Sequence, residues 1–209
     1  MKKTMGIRCM FLDIGGVLLT DGWSHEHSKL AAKAFGLNLE ELKNRHNHAL
    51  DTYELGKLTF EEYLSLVVFH KKRPFTMAQF RKFMFAQSKP YPKMIELVRC
   101  LKARYGLKII VVSNEGHGLN EYRIRKFKLD EFVDSFISSC FVHLRKPDAD
   151  IFRAALDTAQ VPADQVIYIE NTPMFVGVAE GLGIRSILHT DYSSTCVKLA
   201  LFGLKFAKS

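Results

Sequence analysis

The sequence predicts an α/β fold, a doubly wound parallel sheet core with an inserted α-helical domain. Three observations carry that expectation. Short apolar runs bounded by turn residues recur along the chain, amphipathic helical patterns separate them, and residues 24–88 carry helical patterns alone.

Candidate strands are RCMFLD (8–13), LKIIVVSN (107–114), DSFISS (134–139), QVIYIEN (165–171) and RSILH (185–189). They are nearly continuous in apolar character, as strands covered on both faces are. Between them, helices are expected at MIELVRCLKARYG (94–106), GLNEYRIRKFKL (118–129), ADIFRAALDTAQ (149–160) and MFVGVAEGLG (174–183), with Gly106 and Gly183 at C-cap positions. Short links between alternating strands and helices imply right-handed crossovers, hence a Rossmann-like sheet. In the insertion, Asn38 with Glu41, Thr59 with Glu62 and Thr76 with Gln79 stand at capping-box spacing, each ahead of apolar residues at helical intervals. About four helices are expected from this, and KPYP (89–92) marks the return to the sheet. The expected division is a core of residues 1–20 and 89–209 and a helical cap of 21–88.

The chain has 209 residues, 47% of them hydrophobic, which suffices for a sizeable core. Its longest apolar runs fall far short of the ~20 residues of a membrane span, so no membrane association is expected. Lys2 and Lys3 precede an apolar stretch that is cut by Arg8 and Asp13 and has no small-residue cleavage site, and a cytoplasmic protein is expected. Cys9, Cys100, Cys140 and Cys196 are too scattered for a zinc site and read as reduced, mostly buried thiols. The net charge is +8, but basic residues cluster only at KKR (71–73) and RIRKFK (123–128). A solvated basic surface is therefore expected rather than a nucleic-acid footprint, and a small phosphorylated molecule suits that field.

Ligands of doubly wound sheets bind beyond the carboxyl ends of the strands. The polar residues just past those ends are Asp13, Ser113, Asn114, Lys146, Glu170 and Asn171. Each has a plain alternative: Asp13 before Gly15 and Gly16 as a turn residue, Ser113 and Asn114 as helix caps, Lys146 on a surface loop, Glu170 and Asn171 at a strand exit. Their joint placement favours a phosphate-and-metal site.

FLDIGGVL, VVSN, RKPDADIF and VIYIENTPMFVGVAEGLGI, in this order, resemble the four motifs of the haloacid dehalogenase superfamily of hydrolases. ELGKLTFEEYL (54–64) is similar to the helical cap of the first subfamily, and the branch it most resembles holds sugar-phosphate phosphatase-like proteins and the phosphatase-like domain of epoxide hydrolases. The resemblance implies Asp13 as the nucleophile that becomes an aspartyl phosphate, Lys146 as the neutralising cation, and Ser113, Asn114 and Gly16 as substrate-binding residues. It further implies magnesium held by Asp13, the Gly15 carbonyl and Glu170. Gly15 stands where the family carries its acid–base aspartate, and Glu170, Asn171 and Phe175 stand where it carries further acids and an amide. Lower metal affinity and slower chemistry are expected from these departures. His25 and His117 are candidate surrogates for the missing acid, alongside Asp21, His27 and Glu115, while Trp23 and the cap aromatics shape a pocket. The expected function is magnesium-dependent hydrolysis of a small phosphorylated metabolite by a monomer or dimer. A weakly catalytic or non-catalytic protein that binds a phosphorylated ligand or a protein partner is the alternative. Metal-free 2-haloacid dehalogenation is disfavoured by ENTPMF in the fourth motif.

Overall fold

A computed structural model describes residues 6–206. In chain order its elements are β1 (Cys9–Leu12), α1 (His25–Phe35), α2 (Leu39–Glu54), α3 (Phe60–Val67), α4 (Met77–Ala86), α5 (Pro92–Tyr105), β2 (Lys108–Ser113), α6 (Leu119–Lys126), β3 (Ser135–Ser138), α7 (Ser139–Val142), α8 (Ala149–Ala159), β4 (Val166–Glu170), α9 (Pro173–Gly181), β5 (Arg185–Leu188) and α10 (Tyr192–Leu201). The five strands form one sheet in the order β3-β2-β1-β4-β5. All the pairings are parallel, with Phe11 of β1 opposite Ile110 of β2 and Tyr168 of β4.

Alternation along the strands divides the core into two layers. Met10, Leu12, Ile109 and Val111 pack with Met94, Leu97, Val98 and Leu101 of α5 and Leu199 of α10. Cys9, Phe11, Ile110 and Val112 pack on the opposite face with Ile151, Phe152 and Ala155 of α8 and Ala179 of α9. Helices thus cover both faces, which is why the strands read as unbroken apolar runs. Two helices lie outside the sequence expectations. α7 is a single turn directly after β3, and α10 starts where the Asp191 carboxylate accepts the Ser194 N–H at 2.9 Å.

Helices α1–α4 form a separate apolar cluster that includes Phe60, Tyr63, Leu64 and Phe80. The side chains of Asn38, Thr59 and Thr76 cap α2, α3 and α4 through the N–H groups of Glu41, Glu62 and Gln79. The outgoing and returning segments of this insertion are tied together. Thr20 N–H donates to the Lys89 carbonyl at 2.8 Å, Lys89 N–H donates to Thr20 Oγ1 at 3.0 Å, and Tyr91 N–H donates to the Leu18 carbonyl at 2.9 Å.

Candidate active site

A cavity of about 350 Å³ lies between the carboxyl ends of β1, β2 and β4 and the helical insertion. Asp13, Ser113, Asn114, Lys146 and Asn171 line its floor, and Trp23, Leu50, Tyr53, Glu54, Tyr63 and Met84 line the side toward the cap. Asp13 follows β1 directly and is held by its N–H to the Ile169 carbonyl at 3.1 Å. Ser113 closes β2, and its hydroxyl donates to Glu115 Oε1 at 3.3 Å.

Lys146 is 1% exposed, and its ammonium donates to Asp13 Oδ1 at 3.0 Å, to Glu170 Oε2 at 2.6 Å and to the Tyr168 hydroxyl at 3.1 Å. The ring of Phe175 lies 4.9 Å from the same nitrogen and shields it. Burial alone would depress this ammonium, but Asp13 and Glu170 outweigh it and hold its pKa above the usual lysine value. Tyr168, buried and bonded to Glu170, has its phenol pKa pushed well upward by burial first and then by that carboxylate.

Several site residues take roles other than those expected from the sequence. Glu170 is fully buried and does not line the cavity. Its Oε1 accepts the N–H groups of Asn171 and Thr172, both at 2.9 Å, and its Oε2 accepts from Lys146 and Tyr168. With both oxygens occupied, Glu170 holds Lys146 in place rather than facing a metal. Asn114 also positions Lys146: its Oδ1 accepts the Lys146 N–H at 2.8 Å and its Nδ2 donates to the Lys146 carbonyl at 2.9 Å. Gly16 does not face the cavity, and its N–H is already donated to the Leu19 carbonyl at 2.7 Å. What it supplies is space, because it sits at φ +72° and a Cβ there would fall 2.0 Å from Asn171 Nδ2. His117 lies outside the cavity wall, with Nδ1 3.7 Å from Glu121, and its carbonyl accepts the Tyr53 hydroxyl. His25 opens α1, and its side chain lies outside the described residues.

Asp21 lines the cavity, and its Oδ1 lies 3.5 Å from the point a Cβ on Gly15 would occupy. A carboxylate thus reaches the place left open by Gly15 from a position further along the chain. Glu115 is buried against Arg123, whose NH1 donates to it at 2.6 Å and whose NH2 donates to the Thr20 carbonyl at 2.6 Å. Burial pushes the Glu115 pKa up against the opposing pull of Arg123.

Sequence reasoning missed Glu54, Tyr53, Arg123 and Tyr168. The last is a strand residue whose hydroxyl is polar while its ring packs on Phe152. Glu54 ends α2, and its Oε2 accepts from Arg145 NH2 at 2.7 Å, while Arg145 NH1 lies 2.9 Å from Asp51. Burial raises the Glu54 pKa, with Arg145 opposing. The ELG turn was a signal for this contact, since Gly56 passes against the Cys140 carbonyl at a spot no Cβ could share.

A magnesium ion demands hard oxygen donors and accepts one or two carboxylates with phosphate and water completing the shell. Asp13, Gly15 and Asn171 all line the cavity and are the residues that could offer such oxygens, and the bare Cα of Gly16 gives the Asn171 amide its seat. Among the described residues no three His, Cys, Asp or Glu side chains converge on a metal position, so the set is low in charge.

Residues 7–181 match the sequence model of haloacid dehalogenase-like hydrolases. The chain is 23% identical over 207 residues to bifunctional epoxide hydrolase 2 of Sus scrofa, covering 90% of this chain and 37% of that protein. It is 27% identical over 112 residues to phosphoglycolate phosphatase of Rhodospirillum rubrum, covering 54% of this chain and 46% of that one. The chain therefore spans less than half the length of these curated relatives. Among solved structures, a haloacid dehalogenase family enzyme of Bacteroides thetaiotaomicron superposes with a TM-score of 0.74 at 21% identity, over 91% of this chain and 98% of that one. The same enzyme has been solved in complex with magnesium and inorganic phosphate.

Proposed function

The chain belongs to the haloacid dehalogenase-like hydrolase family, and on that premise we propose that it hydrolyses a small phosphate monoester through an aspartyl phosphate on Asp13. The observation that carries this reading is the buried ion-pair cluster in which Asp13 and Lys146 line the cavity floor and Glu170 lies behind them. A carboxylate oxygen of Asp13 attacks phosphorus, and the bond from phosphorus to the alcohol oxygen breaks. The ammonium of Lys146 is already aligned by three acceptors and stabilises the charge gathering on the phosphoryl oxygens without further reorganisation. Ser113 hydrogen-bonds a phosphoryl oxygen. Asp21, which stands beside Gly15, donates the proton to the departing alcohol and then takes one from the water that releases phosphate. Magnesium held by Asp13, the Gly15 carbonyl and Asn171 would supply further neutralisation of the phosphoryl charge.

Phosphate release from a panel of monoesters with added magnesium tests the proposal. Asp13→Asn is expected to lower turnover by at least about 10⁴-fold, as loss of a covalent nucleophile does. An unchanged rate in that variant overturns the reading. For Asp21→Asn, the expected loss is about 10²- to 10⁴-fold on alkyl phosphates and much less on an aryl phosphate such as p-nitrophenyl phosphate, whose leaving group needs no proton. These losses are read in kcat/KM, which reports transfer to Asp13 and not the later release of phosphate, and equal losses on both esters would remove Asp21 from the acid role.

A further inference from the structure

We infer that the cap side of the cavity selects phosphate monoesters whose alcohol portion bears no negative charge, and refuses those carrying a carboxylate or a second phosphate. The inference rests on the phosphatase reading for the placement of the phosphoryl group on the floor.

Among the described residues, the carboxylates on the cavity wall are Asp13, Asp21, Glu54 and Glu115, and the cations are Arg123 and Lys146. Lys146 lies at the floor, bonded to Asp13 and Glu170, where the phosphoryl group belongs. Arg123 is 1% exposed and its charge is balanced by Glu115, with NH1 donating to that carboxylate and NH2 to the Thr20 carbonyl, so little of the guanidinium is open to an incoming anion. Arg145 approaches from outside the wall but is bound by Glu54 and Asp51. An alcohol reaching past the floor therefore meets Trp23, Leu50, Tyr53, Tyr63 and Met84 together with the carboxylate of Glu54, Asp21 being protonated when it serves as the acid. Apolar and aromatic walls remove water, and the lower dielectric strengthens repulsion between Glu54, which faces the cavity while its partner Arg145 does not, and a negatively charged alcohol.

A near-isosteric pair isolates the charge: the phosphate ester of glycolamide against 2-phosphoglycolate. The unaltered chain should show at least about tenfold higher kcat/KM for the neutral ester, equivalent to about 1.4 kcal/mol. Calorimetric binding of the same two esters to Asp13→Asn should show the same preference without turnover. Glu54→Gln removes one carboxylate and leaves Arg145 with Asp51 as its remaining anionic partner, so the ratio should shrink several-fold toward the carboxylated ester. Equal or better handling of 2-phosphoglycolate by the unaltered chain, or binding of neither ester, overturns the inference. A ratio unchanged in folded Glu54→Gln overturns it as well. A binding preference retained where neither ester is hydrolysed supports the pocket inference and counts against the phosphatase reading alone.

Discussion

Lys146 sits where two carboxylates would otherwise face one another with little water between them. Asp13 is 7% exposed and Glu170 is fully buried, so the ammonium is their common counter-charge. Replacing it with methionine of similar length leaves Glu170 buried and without its cation. Lys146→Met is expected to cost about 3–5 kcal/mol in denaturant unfolding, beside the loss of activity. Asn171 offers the opposite experiment, since its amide lies on the cavity wall where a carboxylate would add charge to the oxygen donors. Asn171→Asp should lower the magnesium concentration needed for half-maximal activity by about tenfold or more. A shift in the other direction would remove Asn171 from the proposed donor set.

At the level of elements, glycines let the end of α2 lie against the core. Gly56 has φ +69°, and a Cβ there would fall 2.2 Å from the Cys140 carbonyl oxygen. At Gly116 a Cβ would lie 1.9 Å from the Tyr53 ring. Gly116→Ala must therefore push the tyrosine and its helix off the core, with an expected cost of about 1–3 kcal/mol and a lowered melting temperature. The sheet edge has its own ionic anchor. Asp134 Oδ2 accepts the Ile109 N–H at 2.8 Å, and its Oδ1 accepts from Lys102 at 2.6 Å. Partial burial works against ionisation, yet the Ile109 N–H and the Lys102 ammonium outweigh it and hold the carboxyl below its ordinary 3.8. A depressed folded pKa adds stability that is present above that value and lost as pH falls through the folded one. The stability gap between the natural chain and Asp134→Asn, measured by denaturant titration, should therefore narrow as pH drops below 3.8.

Across the whole molecule, the strands and the helical insertion were legible because each leaves a local trace. Strands buried on both faces must be apolar throughout, and the capping pairs at Asn38, Thr59 and Thr76 mark where helices begin. Asp13, Ser113 and Lys146 were legible as a group because parallel strands send their carboxyl ends to one side of the sheet. Glu170 was harder, since its strand-end position is equally compatible with facing a metal or turning toward Lys146. Which of these holds depends on Tyr168 and two backbone N–H groups that the linear order does not bring to view. By itself the sequence determined the alternating sheet, the helical insertion and the strand ends that carry the polar residues, all of which follow from local periodicity. Only the tertiary structure decided that Asp21 stands beside Gly15, that Asn114 and Glu170 hold Lys146, and that Glu54 and Arg145 close the cap side. The Lys146 contacts and the Glu54–Arg145 pair join residues distant in the chain, the first within the sheet domain and the second where the cap packs on it, and the turn that brings Asp21 to Gly15 leaves no periodic trace.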